Sequence, residues 1–491
     1  MSLSAGLNIA RSSLAVASGQ TEVVSRNIAN VNDPNYRRKS ANLASLETGG
    51  VHIASIARTA NQALFTKALG ASSAAAMYGS LLSGLQFLSQ TVGDPEDDAS
   101  PAAAIGKLAS ALQLYSTTPS DAAVAASAVG AARDLANALN VATDTVQGVR
   151  AQADADMATT VDRINSLLGQ LETVNAAITG ANQRTDITDN LDARDKILSQ
   201  LSNELGIRVV ERAGNDITVY TDSGVTLFDG RARSVTMQPT SLFTAGVQGS
   251  AVFIDGVQVT GQGATMGLRS GALVGLAQLR DEVAPTYQKQ LDEIARGLIE
   301  TFAESDQGTP PSLPGIPGLF TWPGAPAMPA AGSVNTGLAG LIRIAASVDP
   351  NQGGNASLLR DGGIGDPGNP AYTYNSTGAA GFSERLRGLL TDLTSQRGFD
   401  AGAGLGATAT LAGFASSSSG WLEQLRSSSS SEADYRGTLL TRANDALSKA
   451  TGVNLDEEMT LMLDLERSYQ ASAKLIATID SMFAILLESV G

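Results

Sequence analysis

Apolar and small residues recur near the start of the chain in alternating steps of four and three: Leu3, Leu7, Ala10, Leu14, Ala17, Thr21, Val24, Ile28 and Val31. That is a heptad seam, and it predicts a helix over Leu3–Val31. A second seam runs Met462, Leu465, Tyr469, Ser472, Ile476, Ile479, Phe483, Leu486 and Val490, with Ser472 its polar member. It predicts a helix over Leu455–Val490. Asn454 is placed to cap the amide of Glu457, whose carboxylate can reach back. Asp456, Glu457 and Glu458 suit the positive helix end. Each stripe alone reads as an amphipathic helix packed on its own domain. Both are nearly two-sided, however: Ile9, Val16 and Val23 lie off the first seam, and Met459, Leu463 and Leu475 off the second. Helices with so much apolar surface need a partner, either each other or another subunit.

Between the seams, Ala-rich segments with helical spacing cover about Ile56–Val92, Pro101–Tyr115, Pro119–Asn182 and Asp186–Leu205, separated by Asp94–Asp98 and Thr118–Asp121. From Gly206 to about Ser270 apolar residues alternate with polar ones between glycine turns (Ile207, Val209, Ile217, Val219, Val225, Leu227), the pattern of a half-buried antiparallel sheet. A helix resumes over Gly271–Glu304. A proline-rich loop follows between Pro310 and Pro329, then a Gly-rich irregular stretch. Helices return over Phe382–Arg397 and Leu411–Ala450, with serine runs at Ser416–Ser419 and Ser427–Ser431 expected on a solvated face. The fold expected is mainly α with an inserted β-rich domain: paired, coiled-coil-like N- and C-terminal helices, a helical bundle and a small antiparallel β domain. The boundaries are 1–55 for the N-terminal axial helix and its loop, 56–205 for the first helical part and 206–270 for the β-rich insert. They continue as 271–305 for the returning helix, 306–381 for the irregular segment, 382–452 for the second helical part and 453–491 for the C-terminal helix.

Composition then removes chemistry. The 491 residues include no cysteine and one histidine, His52, so thiol nucleophiles, thiolate metal sites and two-histidine motifs are excluded. A net charge of −15 and 4% aromatic residues disfavour nucleic-acid binding. Ala71–Leu88 and Lys474–Val490 are interrupted by polar or charged residues, so no membrane insertion is expected, and no basic, apolar leader precedes the first seam. Gly363-x-Gly365-x-x-Gly368 lacks the strand and helix that a phosphate cradle needs. Asp349-x-Asn351-x-Gly353 starts like a calcium loop but carries Arg360 at the position of the bidentate Glu. Asp186, Asp189, Asp192 and Asp195 read as a solvated helix face neutralised by Arg194 and Lys196. His52 reads as an ordinary surface histidine on a strand. The sequons at Asn355 and Asn375 are too short to weigh. No catalytic, metal or cofactor site is expected.

The segment after the first seam, with Ala29, Asn30, Asn32, Pro34, Tyr36 and Arg38, resembles the signature of flagellar axial proteins, which reads roughly A-N-x-N-T-P-G-Y-x-R. Asp33 stands for its threonine as a turn initiator, and Asn35 for its glycine as a residue tolerant of left-handed backbone. Residues 452–490, including Asn454–Glu458 and Tyr469–Lys474, resemble the terminal helix of rod, hook and hook-associated proteins. Rod and hook proteins turn β-rich soon after the first motif. The long helical region here, followed by Asp189–Ile207, is instead similar to the hook-associated family that forms the hook–filament junction.

That resemblance implies a structural, non-enzymatic protein of the extracellular flagellum, assembled helically through its terminal helices. Self-contacts would use Leu3, Leu7, Leu14, Val24, Ile28 and Val31 with the C-terminal seam. The implied partners are the hook protein, a second hook-associated junction protein on the filament side, the type III export apparatus and a cytoplasmic export chaperone that covers the C-terminal seam. Alternatives are another axial subunit, or a secreted enzyme on the same scaffold, which would need a catalytic constellation absent from the sequence.

Overall fold

The computed structural model describes residues 3–47, 49–89, 100–182 and 185–490. The sequence-predicted separator Asp94–Asp98 lies outside these. The N-terminal heptad forms α1 (Leu3–Ala29), followed by a hairpin of β1 (Lys39–Ser45) and β2 (Val51–Arg58). The helix stops two residues short of the seam, so Val31 sits in the turn. β2 runs across the expected 55/56 boundary, because Thr59 N–H donates to the Arg38 carbonyl and extends the pairing that Lys39 and Arg58 begin.

The helical body begins with α2 (Gln62–Leu88), α3 (Pro101–Thr117), α4 (Ala122–Thr179) and α5 (Thr188–Glu204). Each of the first three opens on a side-chain cap: Asn61 accepts from Leu64 N–H, Ser100 from Ala103 N–H, and Asp121 from Ala123 and Val124 N–H. The 58 residues of α4 span ~87 Å. Its buried positions, from Ala125 through Leu135, Val146, Met157 and Leu168 to Ile178, keep helical spacing throughout, so α4 can support α3, α5 and the later helices along one face.

The β-rich insert comprises two antiparallel three-stranded sheets. One contains β3 (Ile207–Glu211), β4 (Ile217–Thr221) and β5 (Thr226–Asp229). The other contains β6 (Val235–Thr236), β7 (Phe253–Ile254) and β8 (Val257–Gln258). β4 is central and buried on both faces, beyond the simple alternation expected. The chain returns through Gly271, at φ 103°, where an added Cβ would lie 2.3 Å from the Leu205 Cα.

The returning helix is not uniform. α6 (Ala272–Gln278) passes through a π turn at Leu279–Val283 into α7 (Ala284–Thr301). Pro285 supplies no N–H to an α-helical ladder, and the wider turn absorbs that loss. Residues 291–299 of α7 are buried all round, including Asp292, Glu293 and Arg296. Arg296 pairs with Glu293 at 2.7 Å and donates to the Gly398 carbonyl at 2.9 Å. The Asp292 carboxylate accepts from Gln288 Nε2 and from the amides of Gly337 and Ala339.

Burial nevertheless pushes the Asp292 pKa up to about 6. The native state therefore binds this proton more tightly than the unfolded chain does. Its stability, relative to Asp292→Asn, is expected to fall by about 2 kcal/mol as pH rises from 4 to 6, read from denaturant melts.

The segment after α7 is irregular, as its composition suggested, but its apolar residues pack inward. β9 (Phe320–Thr321) pairs with β10 (Arg343–Ile344), α8 (Leu358–Asp361) is one turn, and Phe320, Leu338, Ile342, Val348, Leu359 and Ile364 join the common core. Phe320 meets Phe302 of the α7 end edge-to-face at 5.2 Å. The amides of Ile364 and Gly365 donate to the Glu304 carboxylate, which pairs with Arg385 at 2.8 Å. The Gly363–Gly368 loop thus holds the chain's own anion. Asp349 pairs with Arg133 and caps the Asn351 amide.

α9 (Glu384–Thr394), the β11 (Arg397–Gly398) and β12 (Thr408–Ala409) pair, α10 (Leu411–Thr451) and α11 (Leu455–Val490) complete the chain. Ser418, Ser419 and Ser429 are buried in α10, and Ser418 donates to Gln290 Oε1 at 2.7 Å. Small residues there let α10 approach α7 and α2, so these runs are not purely a solvated face. The fold is mainly α with an inserted β-rich part and long terminal helices.

Candidate functional site

α1 has two covered faces. Its seam lies along α11, where an added Gly6 Cβ would meet Ile479 Cδ1 at 3.5 Å. The off-seam side lies under the hairpin: Val51 N–H donates to Ser12 Oγ, Ile53 reaches Gly19, and Val16 and Val23 are 7% and 3% exposed. The two-sided stripe of α1 is therefore satisfied within the chain. Leu3, Leu7, Leu14 and Ile28 are half-buried, and Val24 is buried.

α11 has no such cover. Leu465 and Ile479 are buried, and Met462, Ile476 and Phe483 half-buried, while Tyr469 and Leu486 are 46% and 49% exposed. The side chain of Val490 lies outside the described residues. Leu455, Met459, Leu463, Leu475, Met482 and Ile485 are also exposed. A stretch within Leu411–Glu488 is long and apolar enough to cross a membrane by length and composition alone. Only 6% of it is buried, which is equally the state of a helix whose partner is another protein surface.

Where these segments meet the body, polar residues form a closed network. Asn27 is 1% exposed. Its Nδ2 donates to the Lys39 carbonyl and to Glu458 Oε2 at 3.0 Å, while its Oδ1 accepts from the Tyr36 hydroxyl and from Lys39 N–H. Glu458 is fully buried and accepts from Arg38 Nε at 2.6 Å. Arg38 N–H donates to the Thr451 carbonyl at the end of α10. Burial pushes the Tyr36 hydroxyl up to about 12, so it remains a donor. Of the remaining signature residues, Asn30 Nδ2 donates to the Arg26 carbonyl, and Asp33 Oδ1 accepts from Asn35 N–H in an Asx turn. Ala29, Asn32 and Pro34 are exposed. Asn35 does not take the left-handed backbone that its glycine counterpart suggested. The α11 cap also differs: Asn454 Oδ1 accepts from Asp456 N–H, and Glu457 meets the Asn454 side-chain amide at 3.4 Å.

Asp186, just before α5, and Asp189, Asp192 and Asp195 on it form a ladder against this network: Asp192 and Asp195 are turned inward, while Asp186 and Asp189 stay exposed as expected. Arg26 pairs with Asp186, Lys39 with Asp189 and Asp192, and Arg58 with Asp192 and Asp195. Lys39 is wholly buried, its ammonium 4.6 Å from the Tyr36 ring centre. Burial opposes the Arg58 charge, but Asp195 and Asp192 outweigh it and hold the guanidinium above its ordinary value. Burial also raises the Asp192 carboxyl, against Lys39 and Arg58. For Asp186, burial is overcome by Thr188 and Arg26, which lower it. Arg194 does not serve the ladder; it donates to the Asn215 carbonyl. The i, i+3 spacing was visible in the sequence, but its cations stand far away in the chain. Asp192→Asn is expected to loosen this docking by about 1–2 kcal/mol. A broad-specificity protease should then cut the Thr59–Asn61 and Gly452–Asn454 connectors roughly tenfold faster.

The remaining polar candidates are unremarkable. His52 is exposed on β2, opposite Ala44. Among the described residues no three His, Asp or Glu side chains gather as metal ligands. What the geometry provides is mechanical: both terminal segments are locked to one another and to α5 at one point, leaving an apolar helix face outward.

Comparison with known proteins gives consistent matches. Residues 86–309 match the model of the flagellar hook-associated protein FlgK helical domain. Residues 447–488 match the flagellar basal body rod FlgEFG protein C-terminal model. Flagellar hook-associated protein 1 of Bacillus subtilis (strain 168) is 22% identical over 379 residues, covering 71% of this chain and 68% of that protein. The structure of the flagellar hook junction protein FlgK from Burkholderia pseudomallei aligns with a TM-score of 0.43 at 22% identity, over 52% of this chain and 46% of that one. The chain thus spans about half the length of that solved protein.

Proposed function

Because the chain belongs to the FlgK family of flagellar hook-associated proteins, we propose that it is a structural subunit joining hook to filament. The family is structural, and no catalytic role is assigned to this chain. The observation that carries the reading is the helix pair α1 and α11, sealed on the hairpin side and apolar on the outer face of α11. Subunits stack heterologously through that face into a helical tube, and the helical body forms the next layer outward. The C-terminal match is shared with rod proteins, but the helical-domain match over 86–309 favours the hook-associated branch.

In this reading the chain leaves the cell unfolded through the type III export apparatus, with a cytoplasmic chaperone covering the C-terminal seam. It then meets the hook protein on one side and a second hook-associated junction protein on the other. Deleting the gene is expected to leave hooks intact and abolish filaments; filaments of normal length on the deletion strain would refute the assignment. Amide exchange tests the coupled ordering. Residues of α1 and α11 should exchange quickly in dilute monomer and slowly after assembly. Full protection in the monomer would sink that part.

A further inference from the structure

A groove of about 460 Å³ lies between α2 and α10. Its floor is small and apolar, with Ala71 and Ala74 on α2 and Leu439 and Ala443 on α10. Lys67 and Arg442 stand on its two walls, both exposed and neither in an ion pair among the described residues. Arg436, also on the wall, is already held by Glu432 and lies over Tyr78. A cationic rim over an apolar floor recognises an anionic amphipathic helix.

The chain itself carries such a helix. Leu455, Met459 and Leu463 of α11 are 45%, 47% and 53% exposed and stand at i, i+4 and i+8, a single ridge. Asp456 lies beside its start and Glu466 one turn beyond its end, both exposed. The ridge is ~12 Å long, and the groove residues span roughly 10–15 Å along their helices. Within one chain the two cannot meet. α11 is committed to α1, and it leaves α10 through the three residues Gly452–Asn454 instead of folding back along it.

We propose that the Leu455–Met459–Leu463 ridge of one copy seats in the α2–α10 groove of the next, with Asp456 and Glu466 facing Lys67 and Arg442. The contact joins different surfaces on the two copies, so it propagates along an assembly instead of closing a dimer. It rests on the self-assembly reading above and adds a contact between a terminal helix and a neighbour's helical body.

The chain has no cysteine, so introduced ones report cleanly. Met459→Cys and Ala446→Cys full-length chains, mixed under assembly conditions with mild oxidant, are expected to give a covalent heterodimer. Ser468→Cys, on another face of α11, should give at least tenfold less with the same partner. Lys67→Glu with Arg442→Glu in the Ala446→Cys chain should cut the yield about tenfold. Asp456→Lys with Glu466→Lys in the Met459→Cys chain should restore it. Circular dichroism checks that each variant keeps its helix content. Assembly that proceeds with Met459 and Ser468 cross-linking equally, or with no response to the charge swap, overturns this contact and leaves the self-assembly reading standing. A mixture that never associates overturns both.

Discussion

Glu458→Ala is expected to cost about 3 kcal/mol, concentrated in the terminal helices and not spread through the body. The carboxylate is fully buried where α11 begins and is the atom group shared by Arg38 and Asn27. Without it, the Arg38 guanidinium, a third exposed, can turn to water, but the Asn27 amide cannot. Glu458→Gln should be milder: its Oε1 can still accept from Asn27 Nδ2, and its N–H₂ then faces only the Arg38 guanidinium, which can turn to water. In assembled protein, where α1 and α11 are ordered, exchange rates of their amides should rise about a hundredfold in the Ala variant, with α4 and α7 unchanged. Uniform acceleration across the chain would contradict the local role given to this contact.

The other large effect is expected at Arg280, whose side chain is wholly buried in the π turn. It pairs with Asp154 of α4 and with Asp281 at 2.8 Å, and donates to the Ser250 carbonyl at 2.9 Å. The guanidinium therefore ties the loop between β6 and β7 to two helices. Arg280→Met leaves two carboxylates without their cation, one of them almost fully buried, and should destabilise the chain by about 4 kcal/mol. Asp154→Asn in the same background should recover part of this, so that the two changes cost at least about 1 kcal/mol less together than in sum. Strict additivity in chemical denaturation would show that the pair is not coupled as its geometry requires.

The helices were legible where one face carried the signal. The bounds of α11 follow from acids at its start and a seam sustained to its end, and the long stripe of α4 is similarly plain. The network that joins the terminal segments was hidden for a reason of distance. Asn27 and Glu458 are 431 residues apart, and neither has a local partner that would mark it. Asp186 and the three aspartates of α5 showed their spacing, yet the residues that neutralise them come from α1, β1 and β2 and not from adjacent Arg194 and Lys196. The segment after α7 has no periodicity because its apolar residues enter the core singly from turns. Phe320 and Leu338 each fill a place shaped by α7, and no repeat announces that. Buried serines in α10 were misassigned because their small size, needed for close helix approach, looks the same in sequence as polarity.

The terminal unit and the helical body are joined by two short connectors, Thr59–Asn61 and Gly452–Asn454, lying on either side of the Arg38–Thr451 hydrogen bond. A pair of tethers behaves as a door on two pins: it permits swing about the line through them and resists twist. The ladder along α5 then acts as the latch. Under the stacking proposed above, a subunit can adjust its tilt at that one axis while resisting twist, the direction in which two separated tethers are stiff.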